Sequence, residues 1–222
     1  MSLDVITGNF RFLIVQGFFG FGNFAGGTLR LAIPAIVLGF ALGIVIGLAR
    51  LSSTSWVRVP ATMYVELFRG VPLVMVIFWM WFIIPQLLGL ALPEYGIALT
   101  AFVIFEAAYF GEIVRAGVQS VPRGQVEAAR AVGLTATQGM GYVILPQALR
   151  NMVPALVTQM IVLFKDTSLA SIIGYVDLTK AAQIVNNREI RPFELYLFIA
   201  VVYWLCTYSM SRLARRLEQR VA

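Results

Sequence analysis

From Gly27 to Leu48 the chain runs for 22 residues with a single ionisable side chain, Arg30, near its start. A helix needs about 20 apolar residues to cross ~30 Å of hydrocarbon, so this stretch is long enough to span a bilayer. Four further runs follow the same pattern. They cover about Tyr64 to Leu87, interrupted by Gly70 and Pro72; about Tyr95 to Val114, with Glu106 near the centre; a run from near Val153 that carries Lys165 and Asp166; and about Phe193 to Met210. Hydrophobic residues make up 59% of the 222 and charged residues 13%, well below the roughly 25% charged of a soluble domain. The expected fold class is an all-α integral membrane protein with five transmembrane helices. In the first span Gly39, Gly43 and Gly47 recur at every fourth residue, a small-residue face suited to close helix packing.

Composition also removes whole classes of chemistry. There is no histidine and one cysteine, Cys206, so the usual zinc sites, Cys/His pairs and Ser/His/Asp triads cannot be assembled. An intramembrane enzyme is disfavoured for that reason. No G-x-x-x-x-G-K-[ST] motif occurs, so the chain does not cradle ATP. No cofactor is expected in it, and no metal. The first 25 residues lack a compact basic region followed by a small-residue cleavage site, and no cleaved signal peptide is expected. The formal charge of +6 belongs to loops flanking membrane spans and does not imply nucleic acid.

Five crossings put the two chain ends on opposite sides. If the C-terminus is cytoplasmic, that side holds Arg50, Arg58, Arg69, Arg115, Arg123, Arg130, Arg150, Arg212, Arg215, Arg216 and Arg220, which are 11 of the 17 basic residues. Short loops rich in Arg stay inside, so the N-terminus is expected out and the C-terminus in. Residues 1–26 are aromatic and broken by glycines, which suits an outer-face interfacial segment. Residues 177–192 carry Leu178, Ala181, Ala182 and Val185 at helical spacing and are expected along the outer surface. Residues 27–213 then form one membrane domain and 214–222 a basic cytoplasmic tail.

Residues 120–146 break the apolar pattern between the third and fourth spans. Pro122 suits a first helical turn, Gly133 a left-handed stop, and Thr135 with Gln138 the T-x-x-Q capping box. The expected product is a helix, an elbow and a second helix outside the bilayer, with Ala128 and Ala129 forming a flat surface for a partner. Pro146 is expected to mark the entry to the fourth span.

The spacing Glu127-Ala128-Ala129, Gly133 six residues after the Glu, and Leu145-Pro146 eighteen and nineteen after it resembles the EAA loop of ABC importer permeases. Val143 stands where that pattern has Ile. The second EAA tripeptide, at Glu106-Ala107-Ala108, has Glu112 in place of the Gly and Gly124-Gln125 in place of Leu-Pro, so it fails the same test. "ELFRGVPL" (66–73), "LPQALRNMVPAL" (145–156) and "KDTSLASIIGYVDLTKAAQ" (165–183) look like the polar amino-acid branch of that family, nearest to glutamate/aspartate permeases. The resemblance implies a type I ABC importer permease fold in which the elbow is a cytoplasmic coupling helix. Glu127, Ala128, Ala129, Gly133, Leu145 and Pro146 would be its coupling residues. It further implies a bacterial cytoplasmic (inner) membrane location. The implied partners are an ATPase subunit dimer that holds ATP and Mg, a second permease subunit, identical or paralogous, and a periplasmic substrate-binding protein. The rival function is a secondary transporter or channel subunit, which would normally show internal repeats that are not visible here.

Charges inside spans are expensive and point to function. Lys165 and Asp166 would lie near mid-membrane, with Asp166, Thr167 and Ser168 capping a restarting half-helix whose dipole suits a substrate carboxylate. They could equally pair with each other or face an outer vestibule. Arg69 precedes the break at Gly70-Val71-Pro72 and could hold a carboxylate or pair with Glu66. Glu106 could bind a substrate amino group or neutralise a neighbouring base.

Overall fold

The computed structural model describes residues 4–22, 26–89 and 92–221, and among them every regular element is helical. α1 (Asp4–Phe10) continues into wide π-helical turns over Arg11–Phe19. α2 (Thr28–Arg50) is the first long apolar helix. Its glycines bear on α6 (Glu94–Gln119): a Cβ at Gly39 would meet Glu106, one at Gly43 would meet Phe110, and one at Gly47 would come within 2.7 Å of the Gly111 carbonyl oxygen. Only a residue without a side chain lets the two backbones come this close. Because Gly39, Gly43 and Gly47 meet successively later residues of α6, the two helices run in the same direction. The bundle therefore has a Thr28 end and an Arg50 end.

That parallel arrangement constrains the chain between them. Starting at the Arg50 end, it must return to the Thr28 end before α6 begins. The return is made by α3 (Ser55–Gly70), α4 (Leu73–Phe78), a π-helical turn over Trp79–Ile83 and α5 (Ile84–Leu88). The expected second span is not one straight helix from Tyr64. It starts at Ser55 and bends by 105° between Gly70 and Leu73. Pro72 has no N–H, and it disfavours helical geometry at Val71, which is extended at φ −117°, ψ 150°. Past the bend Leu73, Val76 and Ile77 are buried with Ala101, Phe102 and Phe105 of α6.

α6 leads into the elbow, α7 (Arg123–Ala131) and α8 (Ala136–Gly139), and then α9 (Leu145–Asp166). α9 runs antiparallel to α6. Asn151 donates to the Ser120 hydroxyl at 2.8 Å, Met152 fills the space over Gly117, and Gln159 reaches back to Glu106. The fourth span does not begin near Val153. Helical structure is continuous from Ala136 to Ile173, with π-helical turns over Met140–Ile144. Both Trp79–Ile83 and Met140–Ile144 end two residues before a proline, Pro85 and Pro146. A wider turn relieves the clash between the proline ring and the preceding carbonyls, so the helix passes the proline without ending.

At the Thr28 end the chain is stitched together by hydrogen bonds. Gly27 N–H donates to Val176 at 2.8 Å, the Tyr175 hydroxyl donates to Gly27 at 2.8 Å, and the Thr28 hydroxyl donates to Gly17 and accepts from Leu178. Asp177 caps α10 (Leu178–Glu189) through the Thr179 and Lys180 amides and accepts from Tyr203 of α11 (Pro192–Val221) at 3.3 Å. Burial pushes its carboxyl up to about 6, with these hydrogen bonds working in the opposite direction. In the interfacial segment expected at residues 1–26, Arg11–Phe19 packs on α10 and α2 while α1 packs on α11; residues 1–3 and 23–25 lie outside the described residues. α11 then runs unbroken through the basic tail.

Replacing Gly47 by Leu should lower stability by about 1–3 kcal/mol or more, since the new side chain would overlap Gly111 and Val114. Gly96, where a Cβ meets nothing nearer than 3.7 Å, is the control. Melting in detergent checks this: Gly47→Leu should melt several degrees below Gly96→Leu.

Candidate functional site

The elbow at the Arg50 end forms as its residues dictate. α7 stops at Ala131, Gly133 takes φ +83°, and its N–H closes on Arg130 while Leu134 N–H closes on Ala129. Thr135 and Gln138 make the full capping box, with Gln138 N–H on the Thr135 hydroxyl at 3.3 Å and Thr135 N–H on the Gln138 side chain at 2.9 Å. Val126 and Ile144 seat the elbow on Val114, Ala148 and Met152. Glu127, Ala128, Gly133, Leu145 and Pro146 are exposed. Ala129 is not part of a flat outer surface with Ala128. It is buried against Gly139, and its small size sets how closely the two elbow helices approach. Two residues that the sequence did not single out stand on the outside: Val132 is 77% exposed and Tyr142 75%. Large apolar side chains left bare on an otherwise polar segment suit a partner surface.

The second group of candidates is strung along the bundle. Glu106 sits ~18 Å from either end of α6 and has no exposed surface, enclosed between Gly39 of α2 and α9. One carboxylate oxygen accepts from the Gln159 amide at 2.8 Å, and the other is buried without a partner. Among the described residues no Lys or Arg makes an ion pair with it within 4.0 Å. A buried polar atom left unpaired costs ~1–3 kcal/mol, and its retention calls for an explanation.

Gln159 and Asp166 are seven residues apart on α9 and so share a face, which places half-buried Asp166 about two turns beyond Glu106 toward the Thr28 end. Lys165 is exposed. The two make no ion pair within 4.0 Å. The expected restarting half-helix is absent. Asp166 keeps helical angles, φ −67° and ψ −18°, makes no side-chain cap, and the chain tightens into a 3-10 helix over Thr167–Ile173. Thr167 is buried, its hydroxyl donating to the Phe164 carbonyl at 2.8 Å, while Ser168 is half-buried. Thr167 spends its hydroxyl on its own helix and has no N-cap role.

Arg69 lies toward the Arg50 end. Its partner is Glu112 at 3.8 Å rather than Glu66, and its guanidinium stacks over Tyr109 at 5.6 Å. Glu112 also accepts from Arg50 and Arg115. One carboxylate thus joins the ends of α2, α3 and α6 and leaves two positive charges in excess. Sequence reasoning missed this cluster and Gln159. The i, i+3 spacing of Glu112 and Arg115 was a legible signal, but the approach of Arg50 and Arg69 depends on how α2 and α3 pack.

Residues 35–222 match the model of a family described as the binding-protein-dependent transport system inner membrane component. The chain is 43% identical over 203 residues to the glutamate/aspartate import permease protein GltK of Escherichia coli O157:H7, covering 88% of this chain and 90% of that one. It is 40% identical to the probable glutamine ABC transporter permease protein GlnP of Bacillus subtilis, covering 87% and 89%. A solved amino acid ABC transporter, crystallised with histidines, superposes with a TM-score of 0.90 at 35% identity over 99% of this chain and 100% of that one. With four helices long and apolar enough to cross a membrane, or five if the bent pair counts as one, the chain belongs to the amino-acid ABC transporter permeases, within the family of binding-protein-dependent inner membrane components.

Proposed function

We propose that this chain is the membrane-spanning subunit of an ATP-driven importer of polar amino acids, with glutamate and aspartate as cargo, and that it crosses the inner membrane five times with its N-terminus outside. The observation that carries the reading is the elbow: a capped helix pair with bare Val132 and Tyr142, fixed to one end of the helix that holds Gln159 and Asp166. The parallel run of α2 and α6 supports counting the bent pair as one crossing, and the Arg-rich end suits the cytoplasm. Glutamate/aspartate as the cargo rests on the likeness to GltK.

In this reading α7 and α8 form the coupling helix. It sits in a groove of an ATPase subunit, where Glu127, Ala128, Gly133, Leu145 and Pro146 face the partner and Ala129 holds the elbow's shape. ATP and Mg bind on that partner. A second permease subunit, identical or paralogous, and a periplasmic binding protein complete the importer. Closure of the ATPase dimer moves the elbow, and α9 carries the motion to the midplane. The unpaired oxygen of Glu106 receives the ammonium group of a passing amino acid. Arg69, with its excess positive field, draws the carboxylate toward the exit, and Lys165 and Asp166, with Thr167 and Ser168 behind them, line the entry.

A side chain at Gly133 is strained by the φ of +83°, but nothing lies within 4 Å of a Cβ there, so Gly133→Asp should still insert, yet ATP hydrolysis should no longer drive uptake. Transport assays in proteoliposomes containing the ATPase check this, and normal uptake would overturn the coupling assignment. Uptake that persists without any ATPase subunit would instead favour a secondary transporter or channel.

If Lys165 meets an acidic side chain, Lys165→Ala should lower glutamate uptake about tenfold or more, the size of a lost charge-assisted hydrogen bond. Glutamine uptake should fall far less. Equal losses for the two substrates would make Lys165 structural.

A further inference from the structure

Arg30 lies one turn into α2 and is exposed. At ~100° per residue, Arg30, Ile33, Val37, Ala41, Ile44 and Leu48 share one face of the helix, and all six are exposed. Leu31, Ala35 and the three seam glycines are buried on the other side. Eighteen residues separate Arg30 from Leu48, a rise of ~27 Å, close to the ~30 Å of a bilayer's hydrocarbon. Arg30 is therefore at the level where acyl chains give way to headgroups.

A hollow of about 480 Å³ opens beside it, walled by Phe19, Phe21, Leu29, Ile33, Pro34 and Tyr95. Pro34 cannot donate to the Arg30 carbonyl, which accepts instead from the Tyr95 hydroxyl at 3.4 Å. The Tyr95 ring lies 5.3 Å under the Arg30 guanidinium. No carboxylate lies within 4.0 Å of Arg30 among the described residues. A guanidinium forks onto two oxygens of a phosphate, and an apolar hollow running on to a bare apolar helix face matches an acyl chain.

We propose that Arg30 and this hollow bind the phosphate of an anionic phospholipid, with one acyl chain laid along Ile33 and Val37. The site requires only that the chain sits in a bilayer. Its failure would leave the transport reading intact, and the two separate because uptake is measured on its own.

Native mass spectrometry of the full-length permease titrated with phosphatidylglycerol tests the site, with phosphatidylcholine and inorganic phosphate as comparisons. The wild type should hold one more tightly bound phosphatidylglycerol per chain than Arg30→Met, with binding at least about fivefold stronger, as one basic residue at an anionic lipid surface provides. Arg30→Lys should recover most of that difference, and phosphatidylcholine should bind both forms alike. Equal phosphatidylglycerol binding by wild type and Arg30→Met would overturn the proposal. So would displacement of the lipid by millimolar inorganic phosphate, which would make this a site for small anions. Efficient Ile33→Cys disulfide formation between two copies in a Cys206→Ser background would also overturn it, because the face would then be an interface between subunits.

Discussion

The approach of α2 to α6 backbone-on-backbone, through Gly39, Gly43 and Gly47, governs most of what the bundle can do. In a bilayer helices gain nothing by hiding oil from water, so they associate through packing and hydrogen bonds. Here the packing fixes direction as well as distance. With α2 and α6 parallel, the intervening segment has to come back, and the break at Gly70–Pro72 is accommodated inside that return. The same seam sets the height of Arg50 against Glu112 and presses Gly39 onto Glu106.

Glu106 and Glu112 stand six residues apart on one helix, ~9 Å along its axis, in opposite surroundings. Glu112 is ringed by three guanidinia and joins helices together. Glu106 has one neutral amide and an oxygen with nothing to hold. A carboxylate surrounded by cations is spent on structure. One left short of partners in a closed site has hydrogen-bonding capacity unspent, so the two acids stand in different states despite their closeness in sequence.

Much of this was legible beforehand, for local reasons. The places of the apolar helices, though not their limits, follow from runs of apolar residues, the glycine face from a four-residue period, and the elbow from Gly133 and the Thr135–Gln138 box, all of which act within a few residues of chain. The errors arose where the outcome depended on tertiary placement or on helix adaptation. Pro146 looked like a boundary, but π-helical turns carried the helix past it. Thr167 and Ser168 looked like caps, but the chain tightened into a 3-10 helix. Ala129 looked like surface and is the contact that closes the elbow on Gly139. Arg69 and Glu66 stood at pairing distance in sequence, yet the stronger competitor, Glu112, came from another helix.

The continuity from Ala136 to Ile173 has a mechanical consequence. Thirty residues separate Ala136 from Asp166, ~45 Å of rod at 1.5 Å per residue. A rod of that length turns a small tilt at one end into a large sweep at the other: ~10° about the elbow displaces Asp166 by roughly 8 Å, more than the width of a carboxylate. The widened turns at Met140–Ile144 lie near the fulcrum, where one extra residue per turn offers a place for axial slip without snapping the rod. Had the chain ended one helix at Pro146 and begun another, the same tilt would have been absorbed in a loop.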